Sequence, residues 1–229
     1  MSPRKKNPSD FEQEYRDFYD YDLFVSQGAS YYNVGQYQRA IEDYDKATEL
    51  DPNNARAYRR RGDSYDNLGQ YRRAIEDYDK AIELDPNDAR AYQSRGYCYD
   101  KLGQYQRAIR DLDKAIELDP NDVSAYGHRG YSYQRLGQYQ RAIEDLDKAI
   151  ELDPNDARAC GFRGYSYYKL HQYQRAIEDY DKVIELDPND ARAYGLRSFS
   201  YKNLGQDQRA IEDYDKAIEL DPNNAIDLQ

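Results

Sequence analysis

Histidine, cysteine and clustered carboxylates carry most reaction and metal chemistry, and this 229-residue chain uses them sparingly. Its two histidines, His128 and His171, and its two cysteines, Cys98 and Cys160, form no cluster at metal-ligand spacing. The recurrent D-P-N-D strings are acidic enough for calcium but lack the EF-hand pattern, and they read better as a helix stop followed by an N-cap. No glycine-rich phosphate loop or nucleophile motif is present. The expectation is therefore no catalysis, no metal and no cofactor. The chemistry that remains is non-covalent. The chain has 27 Tyr, 5 Phe and no Trp, with Arg and Lys recurring among them. Rings serve as rigid anchors, and guanidinium groups pair with carboxylates.

The elements that position these residues follow from internal periodicity. The string LDPN recurs with its proline at Pro52, Pro86, Pro120, Pro154, Pro188 and Pro222, always 34 residues apart. QRAI or RRAI precedes each at a fixed offset. Six repeats result: 21–54, 55–88, 89–122, 123–156, 157–190 and 191–224. Each predicts two helices. In the second repeat Asn54 caps a helix over about Ala55 to Leu68, with Tyr58, Arg61, Gly62, Tyr65 and Leu68 at spacings of three and four. Gly69 turns the chain. A second helix runs from about Tyr71 to Leu84 with Ala74, Ile75, Tyr78, Ala81 and Ile82 on one face, and Pro86 stops it. Such short helices need stacking for stability.

The pattern resembles the tetratricopeptide repeat: Tyr58, Gly62, Tyr65, Ala74, Tyr78, Ala81 and Pro86 occupy the family's motif positions in the second repeat, and the match covers about nine-tenths of the chain. The resemblance implies an all-α, right-handed superhelical solenoid of six antiparallel helix pairs, first helices lining an inner groove and second helices the outer surface. Local departures are Cys160 for the fourth-position aromatic, Ser198 for Gly and His171 for the turn Gly. Gly62 and Ala74 let backbones approach closely. The recurrent seventh-position Arg (Arg61, Arg95, Arg129, Arg163, Arg197) is expected to pair with the Asp at position twenty-three (Asp77, Asp111, Asp145, Asp179, Asp213). Some family members grip a chaperone's terminal carboxylate with Lys and Asn at positions five and nine, then Asn at six. Arg59, Asp63 and Ser94 stand there, so that clamp is not expected.

Differences between repeats locate the working surface. The exposed face of the second helices barely changes and reads as solvated charge. Positions 2, 5, 6, 9, 12 and 13 of the first helices, which share a roughly 120° arc, vary. Position nine places Tyr97, Tyr131, Tyr165 and Phe199 in register as an aromatic ladder. Gly127, Gly161 and Gly195 at position five open space beside it. Position two adds Arg56, Arg90, Arg158 and Arg192, position thirteen Lys101, Arg135 and Lys169, and Arg59 joins from position five. This face is expected to hold a protein or peptide of acidic or aromatic character; packing of the rings against neighbouring first helices is the competing account.

The net charge of -11 disfavours phosphate backbones, so no nucleic acid is expected. No apolar run approaches a membrane span and none follows the basic start, so the expectation is a cytoplasmic protein without a membrane partner. Residues 1–8 read as disordered and Ser9–Asp20 as a capping helix with a Ser9–Glu12 capping box. After 224 only the start of a further helix remains. Ile211, Tyr214 and Ile218 on the last repeat would then be uncovered, which raises self-assembly through terminal faces as the second functional class and a homo-oligomer as its product.

Overall fold

The computed structural model describes residues 8–222, with side chains from Tyr19 onward. Residues 1–7 of the expected disordered start, the side chains of the Ser9–Glu12 box and residues 225–229 lie outside the description. Twelve helices and no strand are present among the described residues. They are α1 (Pro8–Asn33), α2 (Tyr37–Leu50), α3 (Ala55–Asn67), α4 (Tyr71–Leu84), α5 (Ala89–Lys101), α6 (Tyr105–Leu118), α7 (Val123–Arg135), α8 (Tyr139–Leu152), α9 (Ala157–Lys169), α10 (Tyr173–Leu186), α11 (Ala191–Asn203) and α12 (Asp207–Leu220). They fall into two compact units, Met1–Gln104 and Tyr105–Gln229. The segment 9–20 is not a separate helix. It is the N-terminal part of α1, which runs unbroken into the first repeat.

The D-P-N-D strings act as punctuation. The Asp85 amide bonds back to Ala81 O at 2.8 Å and closes α4, and the Asp85 carboxylate accepts from Asn87 N at 3.0 Å to form the turn. Asp88 then caps α5 by accepting from Ala91 N at 3.1 Å. Asn54, Asp122, Asp156 and Asp190 cap α3, α7, α9 and α11 likewise. Within a pair the helices meet closely: a Cβ on Gly62 would lie 2.8 Å from the Tyr78 ring, and one on Gly130 2.8 Å from Leu146. Turn residues such as Gly137 take positive φ, as a left-handed helix end requires. His171 takes the same conformation at φ 59°, and its Nδ1 lies 2.6 Å from Tyr173 Oη.

Arg61, Arg129, Arg163 and Arg197 pair with the Asp of their own repeats, as expected, and do more. Arg61 donates to both Asp77 oxygens at 2.8 and 2.6 Å, and its Nη1 donates to Asp45 of the preceding repeat at 2.7 Å. Arg129 holds Asp145 and Asp113, Arg163 holds Asp179 and Asp147, and Arg197 holds Asp213 and Asp181. Arg95 reaches Asp79 in the same way. Arg61, Arg129, Arg163 and Arg197 thus each tie two successive second helices. Burial raises the Asp145 carboxyl above its usual range against the opposing Arg129 bonds, and burial also works against the Arg129 charge. Asp145 and Asp113 outweigh that second effect and hold the cation more firmly than in water.

Both cysteines are buried in the packing. Cys98 Sγ lies 3.6 Å from Asp66 Oδ1 in a slot where other repeats carry Ser, and Cys160 packs with Val183 and Ala193. Burial pushes both thiols up, away from the thiolate.

Candidate functional site

In the second unit the variable faces of α7, α9 and α11 converge. Capping by Asp156 and Asp190 fixes where α9 and α11 begin, which places Arg158 and Arg192 in their first turns. One turn on, Gly161 has no side chain, and a Cβ there would meet only Val183 Cγ2 at 3.8 Å. The result is a cleft of about 680 Å³.

Five of the residues expected at a binding face line this cleft: Tyr131, Arg135, Arg158, Tyr165 and Arg192. Arg135 Nη1 donates to Tyr131 Oη at 2.9 Å, and its guanidinium lies over the Tyr131 and Tyr105 rings. The Arg158 side chain is 79% exposed. Lys169 and Phe199 are not part of the lining: Lys169 Nζ sits 5.8 Å over the Tyr165 ring, and Phe199 is half-buried farther along α11. The Tyr131 ring packs at 4.9 Å on Phe162, so this ladder ring rests on the neighbouring first helix.

Part of the lining escaped the sequence. Phe162 and Leu196 come from position six, on the expected face although not singled out there, whereas Tyr180 and Val183 reach the floor from α10, a second helix read as structural. Gln134, at variable position twelve, turns inward instead, donating to Phe162 O at 2.7 Å and Ser166 Oγ at 3.0 Å. A signal for Tyr180 existed. Position twenty-four is Tyr in four repeats and Leu in two, and of the four tyrosines only Tyr78 has an Asp, Asp63, at position nine of its repeat.

In the first unit the candidates are arranged differently. Arg59 donates to Asp88 at 2.8 Å and lies 3.6 Å from Asp63, largely buried, so its charge is used within the fold. Arg56 and Arg90 are exposed, and Lys101 Nζ lies 5.0 Å over the Tyr97 ring. Hydrogen bonding to Tyr97 raises the Lys101 ammonium above its usual range. Asp66 is pushed up to about 6 by burial, against the opposing bond from Cys98. On α12, Ile211 is 55% exposed, whereas Tyr214 and Ile218 are half-buried.

The repeats themselves match known models. Residues 55–88, 89–122, 123–156 and 157–190 match a model described as tetratricopeptide repeat, 191–224 match a second of that description, and 28–69 match a TPR repeat model. The chain belongs to the tetratricopeptide repeat family. Among solved tetratricopeptide-like structures, MamA is similar at 30% identity and TM-score 0.68, over 75% of this chain and 94% of that one. YrrB, titled a TPR protein with an unusual peptide-binding site, is similar at 28% identity and TM-score 0.71, over 82% and 97%. Pseudomonas aeruginosa pilF shares the fold at 22% identity and TM-score 0.78, over 90% and 94%. No curated protein matches. No described helix is long and apolar enough to cross a membrane.

Proposed function

We propose that this tetratricopeptide chain is a non-catalytic interaction scaffold that holds a peptide or protein segment in the groove of its first helices. The observation that carries this is the cleft of the second unit, which joins the Tyr131 and Tyr165 rings to three arginines over a glycine opening. Its charged lining is Arg135, Arg158 and Arg192 against one carboxylate, Asp190, in a chain of net charge -11. Such a local field favours an acidic segment with apolar or aromatic neighbours. The peptide-binding site named for YrrB supports the reading by likeness. In the first unit, Arg56, Arg90, Tyr97 and Lys101 supply residues of the same kind.

Peptide-display selection on the wild type and on a Tyr131→Ala, Tyr165→Ala double variant of unchanged helicity tests this. Acidic–aromatic sequences should be enriched by the wild type and lost by the variant. Equal enrichment by both would move the function away from the cleft.

A second reading, self-assembly through the last repeat, rests on the exposure of Ile211 on α12. Sedimentation at high concentration should then show a dimer or larger species that Ile211→Lys dissolves. A monomer under those conditions discards it.

A further inference from the structure

Position twenty-four of each second helix faces the first helices, and Tyr78 shows how a phenol there is satisfied. Its O–H donates to Asp63 Oδ1 at 3.0 Å. In the repeat 157–190, position nine is Tyr165 instead of Asp. Tyr180 is 1% exposed, and its Oη is buried without a hydrogen-bond partner. Leaving a buried hydroxyl unpaired is unfavourable, and Leu146 shows that a leucine fills the same slot in the neighbouring repeat. Tyr44, in the same slot of the first repeat, is likewise buried with its Oη unpaired, and what sets Tyr180 apart is that it lines the cleft.

Its surroundings indicate what it could hold. Tyr180 lines the cleft with Gly161, Val183, Ala193 and Leu196, an apolar floor below Arg158 and Arg192. Tyr180 shares the lining with Arg192 and Tyr165, which places it on the groove side of α10, and the charged groups within electrostatic reach of it are Asp179 and Arg192. Burial raises the phenol far above its ordinary range, so Tyr180 offers a proton and not a negative charge. A donor at the base of an apolar slot with cations above suits an acceptor at the end of an apolar stem.

We propose that Tyr180 is the specificity-determining donor of the cleft, giving its O–H to a glutamate side chain of an acidic peptide that enters over Gly161, with Arg158 and Arg192 alongside. This rests on the groove reading and names its ligand chemistry. The glutamate's methylenes lie on Val183 and Leu196, and its carboxylate accepts from Tyr180 Oη.

Fluorescence anisotropy with a labelled peptide GSYELEYSG, and with its counterpart carrying Gln for both Glu, tests the assignment. Tyr180→Phe should weaken the Glu peptide about tenfold or more, the range of a hydrogen bond to a charged acceptor, and should narrow the preference for Glu over Gln. The same variant should melt no lower than wild type, since it removes an unpaired hydroxyl. Tyr78→Phe should melt lower, because Asp63 loses its donor. Three results overturn the proposal: unchanged affinity in Tyr180→Phe, a loss of melting temperature in Tyr180→Phe equal to that of Tyr78→Phe, or no binding of the Glu peptide. Unchanged affinity in Tyr180→Phe combined with loss in Arg158→Ala, Arg192→Ala removes this subsite and leaves the groove reading standing. Equal binding by the Tyr131→Ala, Tyr165→Ala variant removes both.

Discussion

At Arg129 two carboxylates share one guanidinium but differ in what they would suffer without it. The Asp145 side chain is 8% exposed and Asp113 is 51% exposed. Arg129→Ala leaves Asp145 buried and unpaired, and a loss of about 3 kcal/mol in urea denaturation is expected. Asp113→Ala removes a solvated partner and should cost below about 1 kcal/mol. Reversing both members, Arg129→Asp with Asp145→Arg, should recover part of the loss; no recovery would mean that packing of the stems, not pairing, is being measured. The own-repeat half of this contact was legible because Arg and Asp recur together at fixed positions. The other half was not, since Asp113 stands on a face whose composition looks merely solvated. Asp66 gives a residue-scale test in pH. Its carboxyl, at about 6, lies above its unfolded value, so the folded state binds the extra proton and stability falls as pH rises from about 4 to 6. Asp66→Asn should therefore match wild type near pH 4 and exceed it at pH 7, by about 1 kcal/mol once partial exposure is allowed for. A constant difference across that range would assign the effect to another group.

At the scale of elements, helix limits were the most legible feature, because each is written in local chemistry: Asn or Asp before the first helix, glycine after it, proline after the second. The joining of residues 9–20 to the first repeat was less legible. No breaker separates them, but the repeat frame suggested a boundary at residue 21 that the backbone does not observe. His171 departs from the turn chemistry and still adopts its geometry, with φ 59° in place of a glycine. A side chain there crowds the backbone by about 1–2 kcal/mol, and the contact with Tyr173 offsets part of it. His171→Gly should raise stability by about 1 kcal/mol in thermal unfolding. A decrease would mean that the Tyr173 contact outweighs the strain.

For the molecule as a whole, periodicity made the all-α repeat fold readable, whereas only half of the site could be read. Exposed variable positions announced Tyr131, Arg135, Arg158, Tyr165 and Arg192 because variation against a constant background is visible in one sequence. The cleft floor was hidden, because Tyr180 and Val183 belong to a helix whose residues look like packing and mostly are. Whether Tyr180 is structural or functional depends on what stands opposite it, which a single-helix pattern does not contain. The salt dependence of binding belongs to this scale. Three cations at a cleft in an acidic chain should make peptide association weaken as salt rises, and affinity indifferent to salt would count against carboxylate recognition.

The shared guanidinium also bears on how such a gene can lengthen or shorten. Arg61, Arg129, Arg163 and Arg197 each take one carboxylate from their own repeat and one from the repeat before, and both carboxylates recur at constant offsets. Excising residues 157–190 in frame would bring Arg197 against Asp147, the counterpart of the Asp181 it now holds, so the new junction heals without a stranded ion. Removing a stretch that is not a multiple of 34 residues would set Arg against the wrong turn of the preceding helix. Recombination between copies is thus tolerated only in register, and the charge pattern acts as a reading frame for the folded chain.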